Sequence, residues 1–129
     1  MRVDAAWRER HIASGVFSNA LGDSGDSIAA ASWRFALVLV DADGTPAAVA
    51  GAYDDGPGRL EIGVDVARPF RGTGLAPGMV TAMAREAIGQ GLLPTYYCAP
   101  TNIRSQRTAL SCGFMPVVSI AQARTPRPA

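Results

Sequence analysis

The chain has no lysine; all twelve of its cationic residues are arginine. A Walker-type phosphate loop, whose glycine-rich turn ends in Lys followed by Ser or Thr, is therefore excluded, and so is Schiff-base chemistry on a lysine amine. Histidine is reduced to His11 and cysteine to Cys98 and Cys112. That is too few for a disulfide framework or a typical zinc site, so no metal is expected and the compartment reads as reducing. Long apolar runs are lacking as well. The longest, Phe35 to Val40, falls far short of a membrane span, and the opening Met1-Arg2-Val3-Asp4 has no apolar signal core. A soluble, cytoplasmic protein without a membrane partner is expected. The net charge of +1 argues against a broad nucleic-acid surface. A length of 129 residues fits one domain, which we bound at 1–121, with 122–129 as a flexible tail.

What is present is a change of period along the chain. Asp4 to Leu21 has helical spacing with Trp7, Ile12, Val16 and Phe17 as apolar points, and Gly15 splits it. Residues 22–27 read as a loop, and no strand is evident before Ala31. Trp33 to Val40, Ala47 to Tyr53 and Leu60 to Val66 are β-rich runs separated by Asp- and Gly-containing turns, an antiparallel meander. After Gly74 the period approaches four. Leu75, Met79, Val80, Met83 and Ala87 share one face of a helix about 25 Å long at 1.5 Å per residue. Pro77 falls in its first turn, where a missing NH removes nothing. A strand over Thr95 to Ala99, parallel to Leu60–Val66, a helix over about Asn102 to Cys112, and a last strand over Phe114 to Ile120 complete the expectation.

The run Arg71-Gly72-Thr73-Gly74-Leu75-Ala76 leaves a strand and opens a helix. Such a turn presents backbone NH groups to an anion at the positive end of the helix dipole, which grips a phosphate without lysine. Taken with Glu61-Ile62-Gly63-Val64-Asp65-Val66, with Asn102 and Ser105, and with Gly113-Phe114, the chain resembles the GNAT superfamily of acyl-CoA N-acyltransferases over roughly residues 35–120. The family's phosphate signature is Gln or Arg, two residues, Gly, one residue, then Gly or Ala; Arg71, Gly74 and Ala76 satisfy it. The resemblance implies an α/β (α+β) fold, a mixed and mostly antiparallel sheet with a central parallel strand pair flanked by helices. It also implies an acetyl-CoA cosubstrate, with the pyrophosphate on the amides of Arg71, Gly72, Thr73, Gly74, Leu75 and Ala76. The pantetheine arm would pair with the backbone of Val64 and Val66 and meet Asn102 and Ser105. For Asn102, a helix N-cap is the competing reading.

The implied reaction is transfer of an acetyl group to a primary amine by direct attack in a ternary complex. A lysine-like amine of pKa about 10.4 costs roughly 4.6 kcal/mol to deprotonate at pH 7, and an α-amine near 8 about 1.4, so a general base matters most for basic acceptors. Glu61 is the first candidate base. Strand alternation puts Glu61, Gly63 and Asp65 on the face opposite Ile62, Val64 and Val66, with Gly63 leaving room between the two carboxylates. Solvated strand-end charges are the competing reading for Glu61 and Asp65. The family's usual acid, a tyrosine seven residues after the Asn, is replaced here by Ala109. Tyr96 and Cys98 alternate with Tyr97, and Tyr97 is the candidate acid, with core packing as the other reading. Cys98 as an acyl-carrying nucleophile lacks a nearby His or Asp partner.

Two departures from the family pattern remain: no early strand, and one strand rather than a hairpin after Phe114. An uncovered sheet edge invites a second chain, so a homodimer is expected. The acceptor, a small-molecule or peptide amine, has no motif of its own. A non-catalytic acyl-CoA-binding or regulatory module is the alternative function, and an interaction domain with a vestigial loop is a third.

Overall fold

The computed structural model describes residues 1–121. The expected tail, 122–129, lies outside the described residues. The elements are β1 (Arg2–Val3), α1 (Ala5–His11), α2 (Ser18–Leu21), α3 (Ser27–Ser32), β2 (Trp33–Val40), β3 (Pro46–Asp54), β4 (Arg59–Val66), α4 (Leu75–Gly89), β5 (Leu93–Thr95) and α5 (Ile103–Ser111). The sheet order is β1-β2-β3-β4-β5, antiparallel except for the parallel pair β4–β5. This is the expected mixed α/β architecture with helices on both faces.

Alternation along β3 separates two cores. Val49 and Tyr53 face α1 and α2 with Trp7, Phe17, Leu21 and Trp33. Ala48, Ala50 and Ala52 face α4 with Leu60, Ile62, Met79, Val80, Met83 and Ala87. The face of α4 that the sequence marks as apolar is thus the face that packs, and three alanines beneath it let the helix lie close to the sheet.

On the other face the approach is closer still. Gly51 and Gly63 are cross-strand partners. A Cβ on Gly51 would lie 1.7 Å from Ala20 O, and one on Gly63 1.9 Å from Asn19 O. The glycine pair is a notch into which the backbone of α2 settles. The room at Gly63 therefore serves the Asn19 carbonyl, a correction to the expectation that it separates two carboxylates.

Three element assignments also change. Arg2–Val3 pairs with Leu37 and Ala36 of β2, a strand too short to show a period. The strand expected over 95–99 is instead β5, which ends at Thr95; Tyr96 and Tyr97 then turn to separate partners. Phe114–Ile120 is not a strand. Phe114 N donates to Ala109 O, while Met115, Val117, Val118 and Ile120 stand exposed. β-Branched residues mark strand tendency, but a strand exists only where a ladder partner is available. In addition, α3 appears within the stretch read as loop and its flank, capped by Asp26, whose Oδ1 accepts from Ile28 N and Ala29 N.

The notch is testable against a neutral control. Gly51→Ala should cost at least about 2 kcal/mol through backbone overlap. Gly78→Ala, in the exposed interior of α4 with nothing within 4 Å of its Cβ, should gain up to about 1 kcal/mol from helix propensity. Urea denaturation of the two variants reads both signs.

Candidate functional site

The loop from β4 to α4 is held from below and open above. After a 3-10 turn over Arg68–Phe70, Gly72 and Gly74 both sit at φ 79°, a left-handed conformation that L side chains rarely adopt. Gly74 is the N-cap of the fifteen-residue α4 and supplies no side-chain cap, and the first turn carries no acidic residue. Thr73 Oγ1 donates to Phe70 O and Arg71 Nε to Val66 O at 3.2 Å. Among the described residues, no acceptor takes the amides of Gly72, Thr73 or Gly74. Leu75 and Ala76 contribute first-turn amides that have no intrahelical partner. The arrangement can hold an anion by main-chain donors plus the helix dipole.

β4 leads straight to that loop, and its outer edge is only partly used. β5 pairs with Arg59 to Glu61 alone. Ala67 N donates to Ala47 O on β3, so by alternation the backbone groups of Val64 and Val66 point the opposite way, into the opening between β4 and β5. α5 packs against the start of α4, where Cys112 Sγ donates to Pro77 O. Asn102 Oδ1 accepts from Ser105 N at 3.1 Å, so Asn102 does cap α5. Ser105 Oγ lies 2.6 Å from Tyr96 Oη.

The opposite face of β4 carries the carboxylates. Glu61, half-buried, lines a cavity of about 350 Å³ with Ser18, Asn19, Asp23, Asp26 and Tyr53. Burial first, and Asp55 second, raise its pKa above the usual carboxylate value. Asp65 faces α2: Oδ2 accepts from Ala20 N at 2.8 Å and Oδ1 from Asn19 Nδ2 at 2.7 Å. Burial raises its pKa, and these hydrogen bonds oppose the rise. Tyr97 is exposed and donates to Asp55 Oδ2 at 3.0 Å, a bond that raises its pKa. Glu61 thus opens into the cavity, Asp65 is engaged by α2, and Tyr97 is engaged by the β3–β4 turn.

The sequence reading missed what builds this cavity. The last carbonyls of α2 are each met by a side chain: Asn19 O by Tyr53 Oη at 3.1 Å, Ala20 O by Trp33 Nε1 at 3.0 Å, and Leu21 O by Arg8 Nε at 2.7 Å. A four-residue helix cannot satisfy its own terminal carbonyls, so these donors secure it. Two paired glycines on adjacent strands were the available signal. A larger cavity of about 610 Å³, lined in part by Arg2, Arg34, Arg59 and Gln90, lies at the far end of α4 from the loop. Its arginines already face Glu86, Asp54 and Asp55.

Solved structures share this fold. The aminoglycoside N-acetyltransferase AAC(6')-Iy, in complex with a CoA-linked bisubstrate analogue, superposes with TM-score 0.70 at 19% identity, over 98% of this chain and 96% of that one. An IAA acetyltransferase from Bacillus cereus gives 0.73 at 19%, over 92% and 77%. The aminoglycoside 6'-N-acetyltransferase AAC(6')-Ih from Acinetobacter baumannii gives 0.67 at 14%, over 98% and 96%. The architecture is therefore that of the N-acetyltransferases. No curated protein matches the sequence. The model of the acetyltransferase (GNAT) domain matches residues 4–115. The chain belongs to the GNAT family and is an acyltransferase.

Replacing Asp65 by Asn keeps its shape but turns one acceptor into a donor facing Ala20 N–H or the Asn19 amide. Stability should fall by about 1–3 kcal/mol, read by urea denaturation.

Proposed function

We propose that this protein binds acetyl-CoA in the opening between β4 and β5 and moves its acetyl group to a primary amine by direct attack in a ternary complex. The observation that carries the reading is the geometry of β4. One strand presents an edge that no other strand pairs beyond Glu61, running into the glycine loop, and on one of its faces a half-buried glutamate opens into a separate cavity.

Each part has a physical task. The amides of Gly72 to Ala76 would hold the pyrophosphate, at roughly 1.5–3 kcal/mol per charge-assisted bond. Val64 and Val66 would pair with the pantetheine as a strand would, and Ser105 would face the arm from α5. Glu61 would take the amine proton, and its raised pKa makes it a stronger base than an ordinary carboxylate. Asp65 would position α2 rather than touch the acceptor, since both its oxygens already have donors. Direct transfer is favoured because, among the described residues, no histidine or carboxylate hydrogen-bonds either thiol; Cys112 Sγ is turned to Pro77 O.

The acceptor cavity is lined by the carboxylates of Glu61, Asp23 and Asp26 and by no arginine. That favours a small cationic amine, in keeping with the aminoglycoside acetyltransferases of the same fold. The net charge of +1 speaks against nucleic acid as a partner. Among the described residues, no helix is long and apolar enough to cross a membrane, and no group of three His, Cys, Asp or Glu could hold a metal. A cytoplasmic setting follows the low cysteine content.

Calorimetry with acetyl-CoA, followed by thiol release with a panel of small amines, tests the reading; no heat and no thiol would reject it. In the wild type the rate should rise with pH through a pKa above the ordinary carboxylate value of 4.5, because the raised pKa keeps Glu61 protonated, and idle as a base, to higher pH. Glu61→Gln should remove that limb, cut turnover of basic amines by about 100-fold or more and leave acetyl-CoA affinity intact.

We also propose a homodimer. The exposed apolar residues Met115, Val117, Val118 and Ile120 and the unpaired outer edge of β5 occur together on each chain, a self-complementary pair that a two-fold axis satisfies. Light scattering at micromolar concentration should give a dimer, and Val118→Asp a monomer. A monomeric wild type overturns this.

A further inference from the structure

Position 109 of α5 is Ala109, yet a phenol reaches the same face of that helix from another element. Where β5 ends at Thr95, the chain leaves the sheet and Tyr96 crosses to α5, bringing Oη to 2.6 Å from Ser105 Oγ. Ser105 and Ala109 are four residues apart, hence neighbours on one helix face. The Tyr96 ring is braced by Phe114, with centroids 5.8 Å apart and planes at 51°. Tyr96 packs against the same apolar cluster as Val64 and Val66, which puts the phenol on the α4 side of the strand proposed to hold the thioester arm. Tyr97 is turned elsewhere, its proton held by Asp55.

We propose that Tyr96, aimed by Ser105, is the proton donor to the departing thiolate. This rests on the acetyl-transfer reading above. In that step the amine nitrogen bonds to the thioester carbonyl carbon and its proton passes to Glu61. The carbon–sulfur bond breaks with its electron pair on sulfur. The Tyr96 O–H proton moves to that sulfur to give the free thiol, and the Ser105 hydroxyl donates to the phenolate until solvent returns a proton. Burial is the largest cause raising the Tyr96 pKa, with Ser105 opposing it and Cys98, Cys112 and Asp65 adding to it. The same burial raises the pKa of a thiol beside it, so donor and acceptor stay close enough for transfer.

The test is the dependence on the leaving thiol. Tyr96→Phe keeps the ring against Phe114 and removes only the hydroxyl. With acetyl-CoA its kcat should fall about 100-fold while KM stays within about twofold. With S-acetyl-4-nitrothiophenol, whose thiol is far more acidic, the deficit in kcat/KM should shrink to within about threefold, because a weakly basic leaving group needs no proton. Ser105→Ala should show the same donor dependence in smaller measure, and it carries the test if the Phe variant does not fold. Equal losses with both donors indicate a structural role and overturn the proposal. So does the donor-dependent pattern in Tyr97→Phe instead. A wild type that binds acetyl-CoA but releases no thiol with any amine overturns the acetyl-transfer reading itself, and is told apart by appearing before any substitution.

Discussion

The seat of α2 on the sheet is the contact that the rest of the site depends on. Two facing glycines, Gly51 and Gly63, leave out side chains that would hold its backbone off. Once seated, α2 exposes carbonyls that must find donors, and Tyr53, Trp33 and Arg8 provide them. Asp65 clasps the amide side. The resulting wall of Ser18 and Asn19 is what turns Glu61 from a strand-end charge into a half-buried carboxylate in a cavity. The burial that raises its pKa is therefore a consequence of backbone packing.

β4 divides the labour of the molecule by its own symmetry. Its two faces meet α2 and α4, and its two edges meet β3 and, for a short stretch, β5. Because β5 stops pairing at Glu61, no strand covers the remaining edge up to the glycine loop, where Val66 O accepts from Arg71 Nε. A strand that is covered on both faces but unpaired on one edge is well placed to accept an extended partner through its backbone.

Charge is placed sparingly around this strand. The loop that opens α4 offers amides and a helix dipole in a chain without lysine, and Arg71 turns back to Val66 O. The cavity on the other face is lined by carboxylates. The loop at the end of β4 and the cavity on its α2 face thus differ in electrostatic character, main-chain amides at one and carboxylates at the other.

Local patterns determined much of the fold. Trp33–Val40 is the run read as strand, and the apolar face of α4 was legible because its residues recur at helical spacing and all find one partner surface. The loop of Arg71 to Ala76 was legible because positive φ at Gly72 and Gly74 demands glycine whatever surrounds it. Properties that depend on a distant partner were not legible. Arg2–Val3 is a strand only because β2 offers an edge, and Phe114–Ile120 is none because no edge meets it, although its residues favour β structure. Likewise the alternation of Glu61, Gly63 and Asp65 was readable from the strand, while their separate fates were not. What meets each of them, cavity or α2 backbone, is set by a helix some forty residues earlier in the chain. Sequence by itself determined which groups share a face; only the tertiary structure decided what that face touches, because burial and hydrogen bonding belong to both partners of a contact.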